Sequence, residues 1–265
     1  MPFTGAHPAA IIPLAKHRFI LSALIIGSIA PDLGYYVGFT TPNRISHSIL
    51  GIFLFSLPSG FLLFLIFHYI LKRPLLELFP DSLRGRLFKY TKKSGYLSFK
   101  QLKLVILSII IGAFTHIAWD TLTHEHEWKQ HGMNFVEYRV LRTQKGSIAL
   151  HHIFQHGSTV AGLTIIAIWF TGWYRKTRPQ NVPRAVFSQP LRYIFLLAMI
   201  GISLLLAYPP QLNREIILTL SKTRSLTEYV VVKSISIMFI QLFVFSAGLK
   251  MFLILKNKII PESII

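Results

Sequence analysis

The segment SILGIFLFSLPSGFLLFLIFHYIL, residues 48–71, decides the fold. It contains no Asp, Glu, Lys or Arg. It also exceeds the roughly 20 apolar residues that cross about 30 Å of hydrocarbon. In that medium every backbone N–H and C=O must find a partner within the protein, and a helix satisfies them by itself. Residues 48–71 are therefore expected to form a transmembrane helix. Comparable runs lie at about 103–122, 157–174, 191–208 and 235–255. A weaker sixth, 19–38, contains Pro31 and Asp32, and the stretch 8–15 before it is too short to span. The expected fold is all-α, a polytopic transmembrane helical bundle of five to six spans with an N-terminal helical hairpin. No linker divides the chain, so 1–265 is expected to be one integral-membrane domain, with chemistry in 1–174 and additional spans in 175–265.

Composition points the same way. Apolar residues make up 52% of the 265 and charged residues only 14%, where a soluble domain carries about a quarter charged. The net charge of +18 comes from 28 Lys and Arg against 10 Asp and Glu. Such a balance suits nucleic acid or an anionic membrane surface. The basic residues cluster in loops between apolar runs, and there is no zinc-finger spacing, so no nucleic-acid partner is expected. Nineteen basic residues fall on one side of the predicted spans, nine of them in 72–103 and five in 175–192; the other side has nine. The positive-inside rule makes the richer side cytoplasmic. The opening MPFTGAHPAA lacks a basic stretch followed by an apolar one, so no cleaved signal peptide is expected. Cysteine is absent, which leaves only nitrogen and oxygen donors for any metal.

The third strong span ends in GAFTHIAWDTLTHEHEW, residues 112–128. Residues four apart share a helix face. His116 and Asp120 are thus placed to hold one metal ion from one side, and His124 continues the stripe. The bland alternative is a His–Asp hydrogen bond on the helix surface. Ionisable groups inside spans are costly and usually pair or serve a function. Asp32, beside the helix-breaking Pro31, is a second such group. Helical rise places His116 about 20 Å from the inner surface and Asp32 about 21 Å, with His7 about 15 Å above His17 if that arm is helical. His47 opens the next span at its outer end. These groups are expected to meet in the outer half of the bilayer. His156, in QHGS, opens a helix on the same side. Arg44 is a candidate phosphate clamp or an interfacial anchor. Glu125 is a candidate general base or a solvated charge. Ser46 and Ser48 read as caps of the span that begins there.

The ordered motifs MPFTGAHPAA, GSIAPD, RISHS, THIAWDTLTH and QHGSTVAG resemble those of a bacterial integral-membrane family of unknown function. That family is similar to inner-membrane metal-dependent hydrolases and, distantly, to zinc-dependent phospholipase C. The resemblance covers residues 1–174. It implies metal ligands at His7, Asp32, His47, His116 and Asp120. The hydrolases often carry an Asp where this chain has Gly34 and a His where it has Asn43, so one divalent ion, zinc first, is expected rather than two. The resemblance further implies a bacterial inner-membrane enzyme that hydrolyses a phospholipid or lipid-linked phosphate ester. Two readings stand beside it: a metal-ion transporter, and a non-catalytic membrane protein stapled by a metal or by hydrogen bonds. Oligomeric state is left open.

Overall fold

The computed structural model describes residues 3–16, 18–38, 45–91, 98–123, 139–143, 146–208 and 226–259. Among the described residues eight α-helices follow one another: α1 (Leu21–Ile29), α2 (Leu33–Tyr36), α3 (Ile49–Leu76), α4 (Asp81–Leu87), α5 (Phe99–Thr123), α6 (Leu150–Lys176), α7 (Gln189–Ala207) and α8 (Leu226–Ile259). Five of them are long and apolar enough to cross a membrane: Ile49–Leu76, Phe99–Thr121, Ile153–Lys176, Gln189–Ala207 and Tyr229–Leu255. Their outward faces are apolar, with Val160, Ile168, Leu197 and Leu205 all more than 60% exposed. In water such surfaces would be a liability; lipid is their natural solvent. The chain is a multi-pass α-helical membrane protein. A short antiparallel hairpin, β1 (Arg139–Thr143) with β2 (Gly146–Ala149), was not expected from the sequence.

The weak sixth segment is not a full span. Its α1 has nine residues, about 14 Å of helix, and gives way to a 3-10 turn at Ala30–Asp32. Pro31 carries no N–H to continue the α-helical ladder. Before it runs a 3-10 helix, Thr4–Lys16, containing Pro8 and Pro13. The expected N-terminal hairpin therefore has one 3-10 arm, which rises faster than an α-helix. At about 2.0 Å per residue, His7 stands about 18 Å from Lys16 along the arm. Two prolines also shape α3. Its π turns, Ile52–Ser56 and Phe67–Leu71, precede Pro58 and Pro74, and each widens the helix where a ring must be accommodated.

The chain divides into two compact units. The first takes in Met1–Gly34, Phe39–Phe64 and Ser94–Lys176; the second takes in Tyr35–Gly38, Leu65–Lys93 and Thr177–Ile265. In the first unit α1 packs along α5, and the 3-10 arm lies against α1, α5 and α6. Ile20 N–H donates to Ser108 Oγ at 3.1 Å, and His116 Nδ1 lies 2.8 Å from the Ser28 carbonyl oxygen. The pairs 20 with 108 and 28 with 116 advance together, so α1 and α5 run parallel. Glycine permits the close approach. A Cβ on Gly27 would strike the backbone of Ile109, and one on Gly112 the backbone of Leu24 and Ser28. Between membrane helices small residues and hydrogen bonds supply the adhesion that apolar burial does not.

In the second unit α7 packs on α8, and α8 on the end of α3. Two basic loops are tied together there. Arg84 donates to the Pro183 carbonyl at 2.6 Å and to Glu77 Oε1 at 3.2 Å, while Glu77 Oε2 accepts from Val186 N–H at 2.9 Å. Arg192 donates to the Phe79 carbonyl and Asp81. Both arginines are buried. The loop after α3 and the loop after α6 are therefore held against each other.

Candidate metal centre

The parallel pairing of α1 with α5 brings the chemistry together. One turn beyond Ser28 the chain reaches Asp32; one turn beyond His116 it reaches Asp120. His7 comes from the 3-10 arm, and His47 from the turn that leads into α3. His7, Asp32, His116 and Asp120 are buried, while the His47 side chain is 13% exposed. The imidazole rings of His7 and His116 stack at 3.8 Å, and that of His47 stands 5.5 Å from His116.

Polar atoms converge on a common centre. His47 Nε2 lies 3.1 Å from Asp32 Oδ1 and 3.7 Å from Asp120 Oδ2. His116 Nε2 lies 3.3 Å from Asp120 Oδ2 and 3.6 Å from Asp32 Oδ1. His7 Nε2 lies 3.5 Å from Asp120 Oδ1. Two overlapping triads, His7–Asp32–His116 and His47–His116–Asp120, keep their donor atoms within 4.8 Å of one another.

His116 shows what the arrangement requires. Its Nδ1 faces a backbone carbonyl, which can only accept, so Nδ1 carries the proton. Nε2 is buried and faces Asp120 Oδ2 at 3.3 Å and Asp32 Oδ1 at 3.6 Å. In the neutral ring it is an acceptor that faces two carboxylates, themselves acceptors. Buried acceptors that face one another need a proton or a metal ion between them. A proton would sit on the ring or on one of the carboxyl groups. Three imidazoles and two carboxylates form a nitrogen–oxygen donor set that fits a divalent transition metal.

Of the residues expected at the site, His7, Asp32, His47, His116 and Asp120 are brought together. His156 is exposed on α6 and joins neither triad. Its helix still supports the site from behind: Thr159 Oγ1 accepts from Phe3 N–H, and Gly162 lets α6 approach the backbone of Ala6. Arg44, His124 and Glu125 lie outside the described residues. Ser48 caps α3 as expected, accepting from Gly51 N–H at 3.0 Å. Ser46 instead places its Oγ 3.0 Å from His47 Nδ1. Thr4, which the sequence did not single out, donates to Asp32 Oδ2 at 2.5 Å. Its signal is visible in retrospect: residues three apart eclipse on a 3-10 helix, and Thr4 precedes His7 by three.

Fold and site together define a polytopic helical membrane protein with a buried His/Asp cluster near one end of a parallel helix pair. The chain belongs to the family described as Domain of unknown function (DUF4184), whose match covers residues 1–247. No curated protein and no solved structure matches it.

Proposed function

We propose that this protein is a membrane-embedded, metal-dependent hydrolase of a phospholipid or lipid-linked phosphate ester. The observation that carries the proposal is His116 Nε2, buried and facing the carboxylates of Asp32 and Asp120. His7, Asp32, His47, His116 and Asp120 would hold one divalent ion, zinc being the first candidate. Such an ion supplies a water activated near neutral pH and a Lewis acid for the oxygen under attack. The protein's own groups hold the donors in place and exclude bulk water. The substrate class follows from position: His47 and Asp120 lie at the ends of the spans Ile49–Leu76 and Phe99–Thr121, at the level where lipid headgroups would stand, so a lipid reaches the cluster most directly.

The test is elemental analysis of protein purified in detergent without chelator, wild type beside the double variant His116→Ala, Asp120→Ala. About one transition-metal ion per chain in the wild type, lost in the double variant, is the expected result. A phospholipid-hydrolysis assay on the same two samples then tests the reaction. A metal-free wild type would leave a proton as the cation and a hydrogen-bonded staple as the better account.

The membrane is proposed to be the bacterial inner membrane, with the nineteen basic residues in the cytoplasm and the cluster toward the outer leaflet. The chain has no cysteine, so single introduced thiols report cleanly. Thr227→Cys, exposed just before the last span, is expected to react with an impermeant maleimide in intact spheroplasts. Lys89→Cys, exposed in the basic loop after α3, is expected to react only after permeabilisation. The reverse pattern would invert the assignment.

A further inference from the structure

Each of three donor residues in the cluster has its second polar atom occupied by a group that is not itself a metal ligand. Thr4 Oγ1 donates to Asp32 Oδ2 at 2.5 Å, leaving Oδ1 toward the centre. The Ser28 carbonyl accepts from His116 Nδ1 at 2.8 Å, leaving Nε2. Ser46 Oγ lies 3.0 Å from His47 Nδ1, again leaving Nε2. The three atoms left over, Asp32 Oδ1, His116 Nε2 and His47 Nε2, are the ones that lie 3.1 and 3.6 Å apart at the carboxylate.

We propose that Thr4, Ser46 and the Ser28 carbonyl form a positioning shell that commits Asp32 Oδ1, His47 Nε2 and His116 Nε2 to one transition-metal ion, with Asp32 bound through a single oxygen. The inference rests on the metal-centre reading above and specifies how the chain makes it. The outer partner of an imidazole fixes which ring nitrogen carries the proton, and so which one is left to coordinate. With metal bound, His47 Nδ1–H donates to Ser46 Oγ, as His116 Nδ1–H donates to the Ser28 carbonyl. The Thr4 hydroxyl has the same effect on a carboxylate. By taking Oδ2 it prevents Asp32 from chelating through both oxygens, which is how carboxylates serve calcium. Imidazole nitrogens, two of them fixed in orientation, select a transition metal over calcium or magnesium. Each origin is local. Thr4 sits one 3-10 turn before His7, so both face the cluster. Ser28 stands three residues before Pro31, which has no N–H to offer its carbonyl.

The experiment uses the full-length protein in detergent, with Thr4→Val, Thr4→Ser, Ser46→Ala and wild type titrated with zinc against a chelating dye. The same four are then loaded with cobalt for visible absorption. Thr4→Val keeps the shape and removes only the hydroxyl; it is expected to bind zinc about 10- to 100-fold more weakly. Thr4→Ser is expected to restore affinity and the cobalt spectrum, and Ser46→Ala to weaken binding over the same range with a changed spectrum. Wild-type affinity and spectrum in Thr4→Val would overturn the shell while leaving the metal centre standing. So would equal loss in Thr4→Val and Thr4→Ser, because serine keeps the hydroxyl and a hydroxyl that positions Asp32 should preserve binding. Failure of the wild type to bind zinc or cobalt would instead overturn the metal reading itself.

Discussion

Chelator is expected to lower the thermal unfolding midpoint of the wild-type protein and to leave that of Asp32→Asn unmoved. A ligand that binds only the folded state stabilises it by RT ln(1 + [L]/Kd), about 4 kcal/mol when free metal is about a thousand times Kd. Removing the metal removes that contribution. It also leaves two buried carboxylates, Asp32 and Asp120, facing three imidazoles with no divalent charge between them. Asparagine at 32 changes little else. Its carbonyl oxygen can still accept from Thr4, and its amide can donate to His116 Nε2, the buried acceptor that otherwise needs a cation. The variant should therefore fold, bind no metal, and ignore chelator. A hydrogen-bonded staple held by a proton on His116 gives the opposite pattern. Chelator would then do nothing to the wild type. Asp32→Asn would lower the midpoint, because bonds to a charged carboxylate contribute about 1.5–3 kcal/mol each. Differential scanning fluorimetry on two proteins, with and without chelator, separates the two.

The spans were legible because their signal is composition over a length that the bilayer fixes. All five lie where the apolar runs lie, with boundaries shifted by a few residues. The shared face of His116 and Asp120 was legible because helical periodicity is local. His7, Asp32 and His47 are placed beside them by motif order and by helical rise. The 3-10 arm, fixed by Pro8 and Pro13, carries His7 further than an α-helical arm would. What the sequence could not show is the set of groups that aim the donors. The Ser28 carbonyl has no side-chain signature, and its partner lies 88 residues away. Ser46 looked like a helix cap because a serine before an apolar run usually is one, and Ser48 two residues later fills that role. Nor did any residue type announce that α1 and α5 approach through glycine. Gly27 and Gly112 are ordinary in a span until the neighbouring backbone is known.

That approach makes the second large prediction. Gly112→Val is expected to abolish metal binding and to destabilise the first unit by more than the roughly 1–3 kcal/mol typical of overpacking. A Cβ at 112 meets backbone, the Leu24 carbonyl and the Ser28 amide, rather than the flexible end of a side chain. No rotamer change relieves it, so α1 and α5 must part. The Ser28 carbonyl then leaves His116 Nδ1, and Asp32, one turn further on, leaves the imidazoles with it. Gly27→Val strikes the Ile109 backbone from the other helix and should produce the same double loss. The control is the same substitution where a helical glycine has open space around it: Gly172 on α6 and Gly248 on α8 have nothing within 4 Å of a built Cβ. Valine there is expected to leave zinc content and thermal midpoint unchanged, since it only exchanges a poor helix former for a better one. Zinc content measured across the four variants decides between a site built by the helix pair and one held together by its ligands alone. Retention of metal in Gly112→Val, with the midpoint lowered, would mean that the donors can close around the ion without the Ser28 contact. The packing of α1 on α5 would then be a source of stability and not of the site's geometry.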